Sequence, residues 1–99
     1  MKLKELKTKN SLDLPEVTDV YIAEDLKQVL LQAVESDKPL TINAQDVLKT
    51  DTICCQLLVA TANELSHKSG AKLSINNPSD TMTNAINMLG LSAALNMEG

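Results

Sequence analysis

Between about residues 21 and 35, Ile22, Leu26, Val29, Leu30, Ala33 and Val34 recur at spacings of three and four, which places them on one stripe of an amphipathic helix. Pro39 disfavours helical dihedrals at Lys38, so the helix breaks within Ser36-Asp37-Lys38-Pro39, and residues 40–44 then read as a strand. Residues 47–50 read as a loop. A second helix is predicted over about 52–69, capped by Asp51 or Thr50 and closed by Gly70, with Cys54, Leu57, Leu58, Thr61 and Leu65 on its inward face. Residues 71–75 read as a strand and Asn76-Asn77-Pro78 as a turn. Ser79 or Asp80 then caps a third helix ending near Gly90.

Upstream, Ser11-Leu12-Asp13-Leu14 alternates with period two and stops at Pro15, which predicts a short edge strand. Thr18 or Asp19 is placed to cap the first helix. The first ten residues have no strong apolar face and read either as a flexible arm or as an edge strand. Strands separated by helices of this length need crossover connections, so the order predicts an α/β fold: a mixed β-sheet with substantial parallel pairing and helices packed against it.

Ninety-nine residues suit one domain, taken here as 1–99. With one Tyr and neither Phe nor Trp, the core must be aliphatic. The net charge is −4 and no Arg is present, which argues against nucleic acid as a partner. The basic cluster Lys2, Lys4, Lys7 and Lys9 reads as a solvated tail. No apolar run of 18 residues and no secretory h-region occur, so no direct membrane insertion and a cytoplasmic location are expected.

Cys54 and Cys55 are adjacent, which disfavours a disulfide between them, and they read as reduced core or interface residues. His67 is the sole histidine and stands a dozen residues away, too isolated to complete a metal site with them. There is no HExxH, no CxxC, no Gly-rich phosphate loop and no nucleophile with a matching base. The expectation is a protein that is not an enzyme and has no cofactor and no catalytic or metal residues. Met82, Met88 and Met97, with Ile86 and Leu89, read either as core filling or as an adaptable docking strip. The tail 92–99 has enough apolar residues to dock.

Three segments in order then resemble the STAS family of bacterial anti-sigma factor antagonists and their relatives in lipid-transporting ABC systems and chemotaxis gene clusters. Thr18-Asp19-Val20-Tyr21-Ile22-Ala23-Glu24-Asp25-Leu26 is similar to the family's L-D-x-x-x-A-x-x-L at its first helix. Thr50-Asp51-Thr52-Ile53-Cys54-Cys55-Gln56-Leu57-Leu58 resembles V-D-S-S-G-L-x-x-L at the second. Leu73-Ser74-Ile75-Asn76-Asn77-Pro78-Ser79 and Ile86-Asn87-Met88-Leu89-Gly90-Leu91 resemble the closing L-x-L-x-N-P-S and L-x-x-L-G-L.

The resemblance implies a curved mixed sheet and a partner-binding surface at the start of the second helix, carried onto Thr50, Asp51, Thr52, Ile53, Cys54 and Cys55. In sigma-type antagonists a kinase phosphorylates the second Ser of D-S-S-G, and the added charge breaks the complex. Here Ile53 holds that position and Cys54 replaces the Gly, leaving Thr52 as the one hydroxyl, about 100° away around the helix. The resemblance therefore implies a constitutive binder of a regulatory protein: a kinase or ATPase, a chemotaxis component or a transporter subunit. The alternatives are an antagonist phospho-switched at Thr52, an accessory subunit of a lipid-transporting ABC system, and a carrier of a small molecule or lipid in a pocket between sheet and helices. Asp51 and Thr52 have a purely structural reading too, as helix caps worth about 1 kcal/mol. Whether the protein acts as a monomer or a homodimer stays open.

Overall fold

The computed structural model describes residues 1–95. Strand β1 is Lys4–Glu5 and β2 is Asn10–Asp13, followed by the two-residue β3, Val17–Thr18. A 3-10 turn over Val20–Ile22 leads into α1, Ala23–Glu35. Then come β4 (Leu40–Asn43), β5 (Lys49–Thr50), α2 (Thr52–Ser69), β6 (Leu73–Asn76) and α3 (Asp80–Met88).

The main sheet has the order β1-β2-β4-β6, with β2, β4 and β6 parallel and β1 antiparallel at the edge. It is the mixed sheet with helices that the element order predicts. In register, Leu12, Ile42 and Ile75 form one row, and Asn10, Leu40 and Leu73 another. Both rows are buried against Leu26, Leu30 and Ala33 of α1 and Cys54, Leu58 and Leu65 of α2, in a core that also takes Met82 and Ile86 of α3. The alternate positions are Ser11, Thr41 and Ser74 in one row and Asp13, Asn43 and Asn76 in the next. Parallel strands are usually apolar on both faces, so the alternation here means a sheet with helices on one side only. On the polar face Asn43 Nδ2 donates to Asp13 Oδ1 at 2.7 Å and Lys4 Nζ reaches Oδ2 at 3.0 Å. Together they hold the Asp13 carboxyl below its ordinary value.

Several element ends follow from single residues. Asp37 and Asn77 adopt left-handed φ of 58° and 47° just before Lys38-Pro39 and Pro78, conformations that Asp and Asn tolerate better than most side chains. Gly70, at φ 71°, closes α2 with its N–H on Ser66 O.

The structure departs from the expected elements at four places, and it divides the methionines between the two readings left open for them. The strand expected at 11–14 runs over Asn10–Asp13 and is not the edge. The first ten residues supply β1 outside it, held by buried Leu3 and by Lys38 Nζ on Leu6 O at 3.0 Å. Residues 47–50 are not all loop, since Lys49–Thr50 pairs in parallel with Val17–Thr18. The inward face of α2 is wider than one stripe: Cys55 and Ala62 join it, while Leu57 is only partly buried. The last strand lies two residues later at its start and one at its end than 71–75. The methionines divide, Met82 sealed in the core and Met88 88% exposed, and Met97 lies outside the described residues.

Asn10 occupies a core position in the row with Leu40 and Leu73, is fully buried, and neither its Oδ1 nor its Nδ2 finds a partner among the described residues. An orphaned buried amide costs about 1–3 kcal/mol. Asn10→Leu, close in size and shape, is therefore expected to stabilise the protein by about 1 kcal/mol or more, raising the midpoint of thermal or urea unfolding. An unchanged or lower midpoint would contradict this account of the Asn10 side chain.

Candidate functional site

All three helical segments start at the C-terminal ends of the parallel strands, and the loops there are stitched to one another. Glu16 O accepts from Leu48 N at 2.7 Å and from Lys49 N at 3.0 Å, which draws β3 and β5 together. Thr18 Oγ1 donates to Pro15 O at 2.8 Å, so Thr18 fastens its own turn and does not cap a helix. Asp19 Oδ1 accepts from Tyr21 N at 3.1 Å and caps the 3-10 turn, while α1 itself starts after Ile22 with no side-chain cap, so neither residue caps the first helix directly. On the other side, Ser79 Oγ accepts from Met82 N to cap α3 and donates to Val47 O at 2.6 Å, while Ser79 N donates to Ala44 O at 3.0 Å. The segment 44–51 is thus held from both flanks.

Asp51 joins the two helix starts. Its Oδ1 accepts from Cys54 N at 3.0 Å and caps α2, while its Oδ2 accepts from Val20 N at 2.7 Å, thirty-one residues back in the chain. Of the two caps considered for α2, Asp51 serves and Thr50 pairs in β5. The buried Cys54 thiol donates to Asp19 O at 3.4 Å across the same junction.

Four of the six expected partner-contact residues have a route to solvent. Thr52 and Ile53 are exposed on the first turn of α2, and Thr50 and Asp51 are partly buried. Cys54 and Cys55 are corrected: both side chains have no exposure at all, because α2 packs against the sheet through a broad face, and neither can touch a partner. Burial, followed by the negative charge of Asp51, pushes the Cys54 thiol up to about 12. Burial pushes the Cys55 thiol up as well, against a smaller opposing effect of the Thr50 hydroxyl.

His67 is exposed in the last turn of α2, roughly 22 Å along the helix from its start, and takes no part in the site. Among the described residues no group of three or more His, Cys, Asp and Glu side chains is placed to hold a metal ion, and no helix is long and apolar enough to cross a membrane. An open groove of about 350 Å³ lies between α1 and α2, with Leu30, Leu31, Val34 and Leu57 lining it alongside the charged Lys27, Glu35 and Glu64. The pocket considered for a carrier role was between sheet and helices, and that space is filled by core side chains instead. The exposed apolar side chains Val17, Val20, Tyr21 and Leu48 beside the α2 start escaped the sequence reading. The available signal was Tyr21, the sole aromatic residue, which stands off the apolar stripe of α1.

Two outcomes follow from this junction. Asp51→Ala removes an acceptor from two helix starts and should cost about 2 kcal/mol in chemical unfolding, with Asp51→Asn costing less; a loss within error of zero would contradict the bridging role. The raised thiol of Cys54 adds stability that is complete below pH 9, its ordinary value, and that falls as the pH climbs toward 12. Unfolding midpoints from pH 8 to 10.5 should therefore drop more steeply for the wild type than for Cys54→Ala, and thiol reagents at pH 8 should label neither cysteine before unfolding.

Comparison with known proteins places this arrangement. A family model described as "Mlab, STAS domain" matches residues 3–97. Among solved structures, a Thermotoga maritima protein described as an anti-sigma factor antagonist is similar, with a TM-score of 0.81 at 15% sequence identity over 96% of this chain and 82% of that one. A likeness at that identity shows the fold. No curated protein matches the sequence. With the family model spanning nearly the whole chain and the sheet and helices in the matching arrangement, the protein belongs to the STAS domain family.

Proposed function

We propose that this protein is a non-catalytic regulator that docks constitutively onto a partner protein in the bacterial cytoplasm, through the start of α2 at Thr50, Asp51, Thr52 and Ile53. STAS membership supports a regulatory, protein-binding role. The observation that carries the docking site is Ile53. A large aliphatic side chain, half exposed at 50%, stands on the first turn of a helix whose start is fixed by Asp51. By the family resemblance this is the position of the phosphoacceptor, and an Ile has no oxygen to accept phosphate. The partner is a regulatory kinase or ATPase, a chemotaxis component or a transporter subunit, and the α2 start offers each of these the same rigid platform.

A second reading, the phospho-switched antagonist, has one observation in its favour: the Thr52 hydroxyl is exposed at the first residue of α2. Intact mass of protein isolated from cells separates the two. A species heavier by one phosphate and mapped to Thr52 supports the switch, and its absence supports constitutive binding.

Docking itself is tested by affinity capture from cytosol, comparing wild type with Ile53→Asp and Thr52→Glu after circular dichroism has verified that each variant folds. The expected outcome is a partner retained by the wild type and weakened tenfold or more by Ile53→Asp, about 1.4 kcal/mol. Equal retention by all three proteins would remove the α2 start as the docking surface.

A further inference from the structure

Beside the α2 start stands a set of apolar side chains that the core does not use. Among the described residues nine large hydrophobics are exposed, and five of them, Val17, Val20, Tyr21, Leu48 and Ile53, sit on β3, the 3-10 turn, the residue before β5 and the first turn of α2. Hydrogen bonds hold these segments side by side. Leu48 N is on Glu16 O, next to Val17, and Val20 N is on Asp51 Oδ2, two residues from Ile53. Tyr21 is 90% exposed and Leu48 68%. Exposed apolar residues carried on adjoining segments, with the chain's sole aromatic among them, have the make-up of a recognition surface more than of a solvated one.

Charge is concentrated at the same place. Residues 16–25 and 46–53 carry Glu16, Asp19, Glu24, Asp25, Asp46 and Asp51 against Lys49 alone. Their net charge of −5 exceeds the −4 of the whole chain, so the remaining residues together are close to neutral. Lys49 offsets one of these charges, its Nζ lying 3.9 Å from Asp19 Oδ2. An apolar surface set in a negative field repels phosphate backbones, anionic lipid surfaces and acidic peptides alike, and it attracts apolar side chains carried among cations.

We infer that the docking surface extends from the α2 start across Val17, Val20, Tyr21 and Leu48, and that its occupant is a basic amphipathic segment of the partner protein, apolar on one face and rich in Lys or Arg around it. The inference rests on the docking function proposed above and adds the extent of the surface and the chemistry of what it binds. Apolar anchors from the partner cover Leu48 and Ile53, its cations meet the surrounding carboxylates, and a cation can stack on the Tyr21 ring. Encounter is steered by the field and is accordingly faster at low ionic strength.

The test uses two synthetic helical peptides with the same leucine face, one with Arg and one with Glu at the remaining positions, titrated into the ¹⁵N-labelled full chain at 50 and 300 mM NaCl. The Arg peptide should shift the amides of Val17, Val20, Tyr21, Leu48 and Ile53, bind at least tenfold more tightly at 50 mM than at 300 mM, and leave the Glu peptide without effect. The double variant Tyr21→Ser/Leu48→Ser keeps every charge, and it should bind the Arg peptide at least tenfold more weakly while its remaining spectrum stays that of the folded protein. Equal binding of both peptides, shifts centred on the groove between α1 and α2, or undiminished binding by the double variant would each overturn the inference. No shifts with either peptide, while capture of a partner still depends on Ile53, would overturn the basic-segment chemistry and leave docking through α2 standing.

Discussion

The carboxylate of Asp51 holds one oxygen against the backbone N–H of Cys54 and the other against that of Val20. A helix start leaves N–H groups without partners in its own helix, and here a single side chain answers that need for two segments at once. The consequence is geometric. The 3-10 turn that leads into α1 and the first turn of α2 cannot drift apart without breaking charge-assisted hydrogen bonds, and those are stronger than neutral ones. Asp19 supports the tie from below, capping the 3-10 turn with its side chain and accepting the Cys54 thiol on its carbonyl oxygen. Ser79 does the same from the α3 side through Val47. The surface residues Thr52 and Ile53 thus ride on a helix start fixed from several directions.

Much of this was legible in the sequence, because it depends on local chemistry. The stripe Leu26, Leu30 and Ala33 gave away α1 and its inward face, and Asp51, Ser79 and Gly70 marked helix ends at the positions where the structure has them. What the sequence could not disclose was set by distant partners. Two-residue strands such as Val17–Thr18 and Lys49–Thr50 have no period to read, and they exist because Glu16 O gathers two amides from across the site. Cys55 lay off the inward face expected for α2, which held Cys54. Its burial follows from the breadth of the face that α2 turns to the core, which no spacing within α2 reveals. Asn10 is the opposite case, a polar residue that sits in a core row because its neighbours Leu40 and Leu73 do.

The one-sided sheet divides the labour of the molecule. Apolar residues of β2, β4 and β6 face the helices, and Ser, Thr, Asn and Asp fill the other face, where side chains bond laterally to each other, as Asn43 does to Ser11 and Asp13. With that face given over to small polar groups and the core sealed by aliphatic packing, large apolar surface left outside stands out. It gathers at the end of the sheet where the helices begin, as in open α/β folds generally, where loops at the carboxyl ends of strands form the binding surface.

The cap and the contact need not compete at the α2 start, because they belong to different atoms. Both oxygens of Asp51 are engaged within the chain, so Asp51 acts by positioning. Thr52 and Ile53 have no such duty and project from a start that Asp51 holds in place. A helix whose second residue is Ile gains nothing in solubility or capping from that choice, since β-branched side chains are mediocre helix formers and an exposed one buries little area. The physical return on Ile53 comes when something covers it: at about 25 cal/mol per Å² of apolar area removed from water, a covered Ile contributes on the order of 1 kcal/mol or more to association. In the docking proposed above, at the position where the family resemblance places a phosphoacceptor, that contribution is permanent. Control over such a contact must come from the partner's abundance or from charge placed beside it, since none can be placed on Ile53 itself.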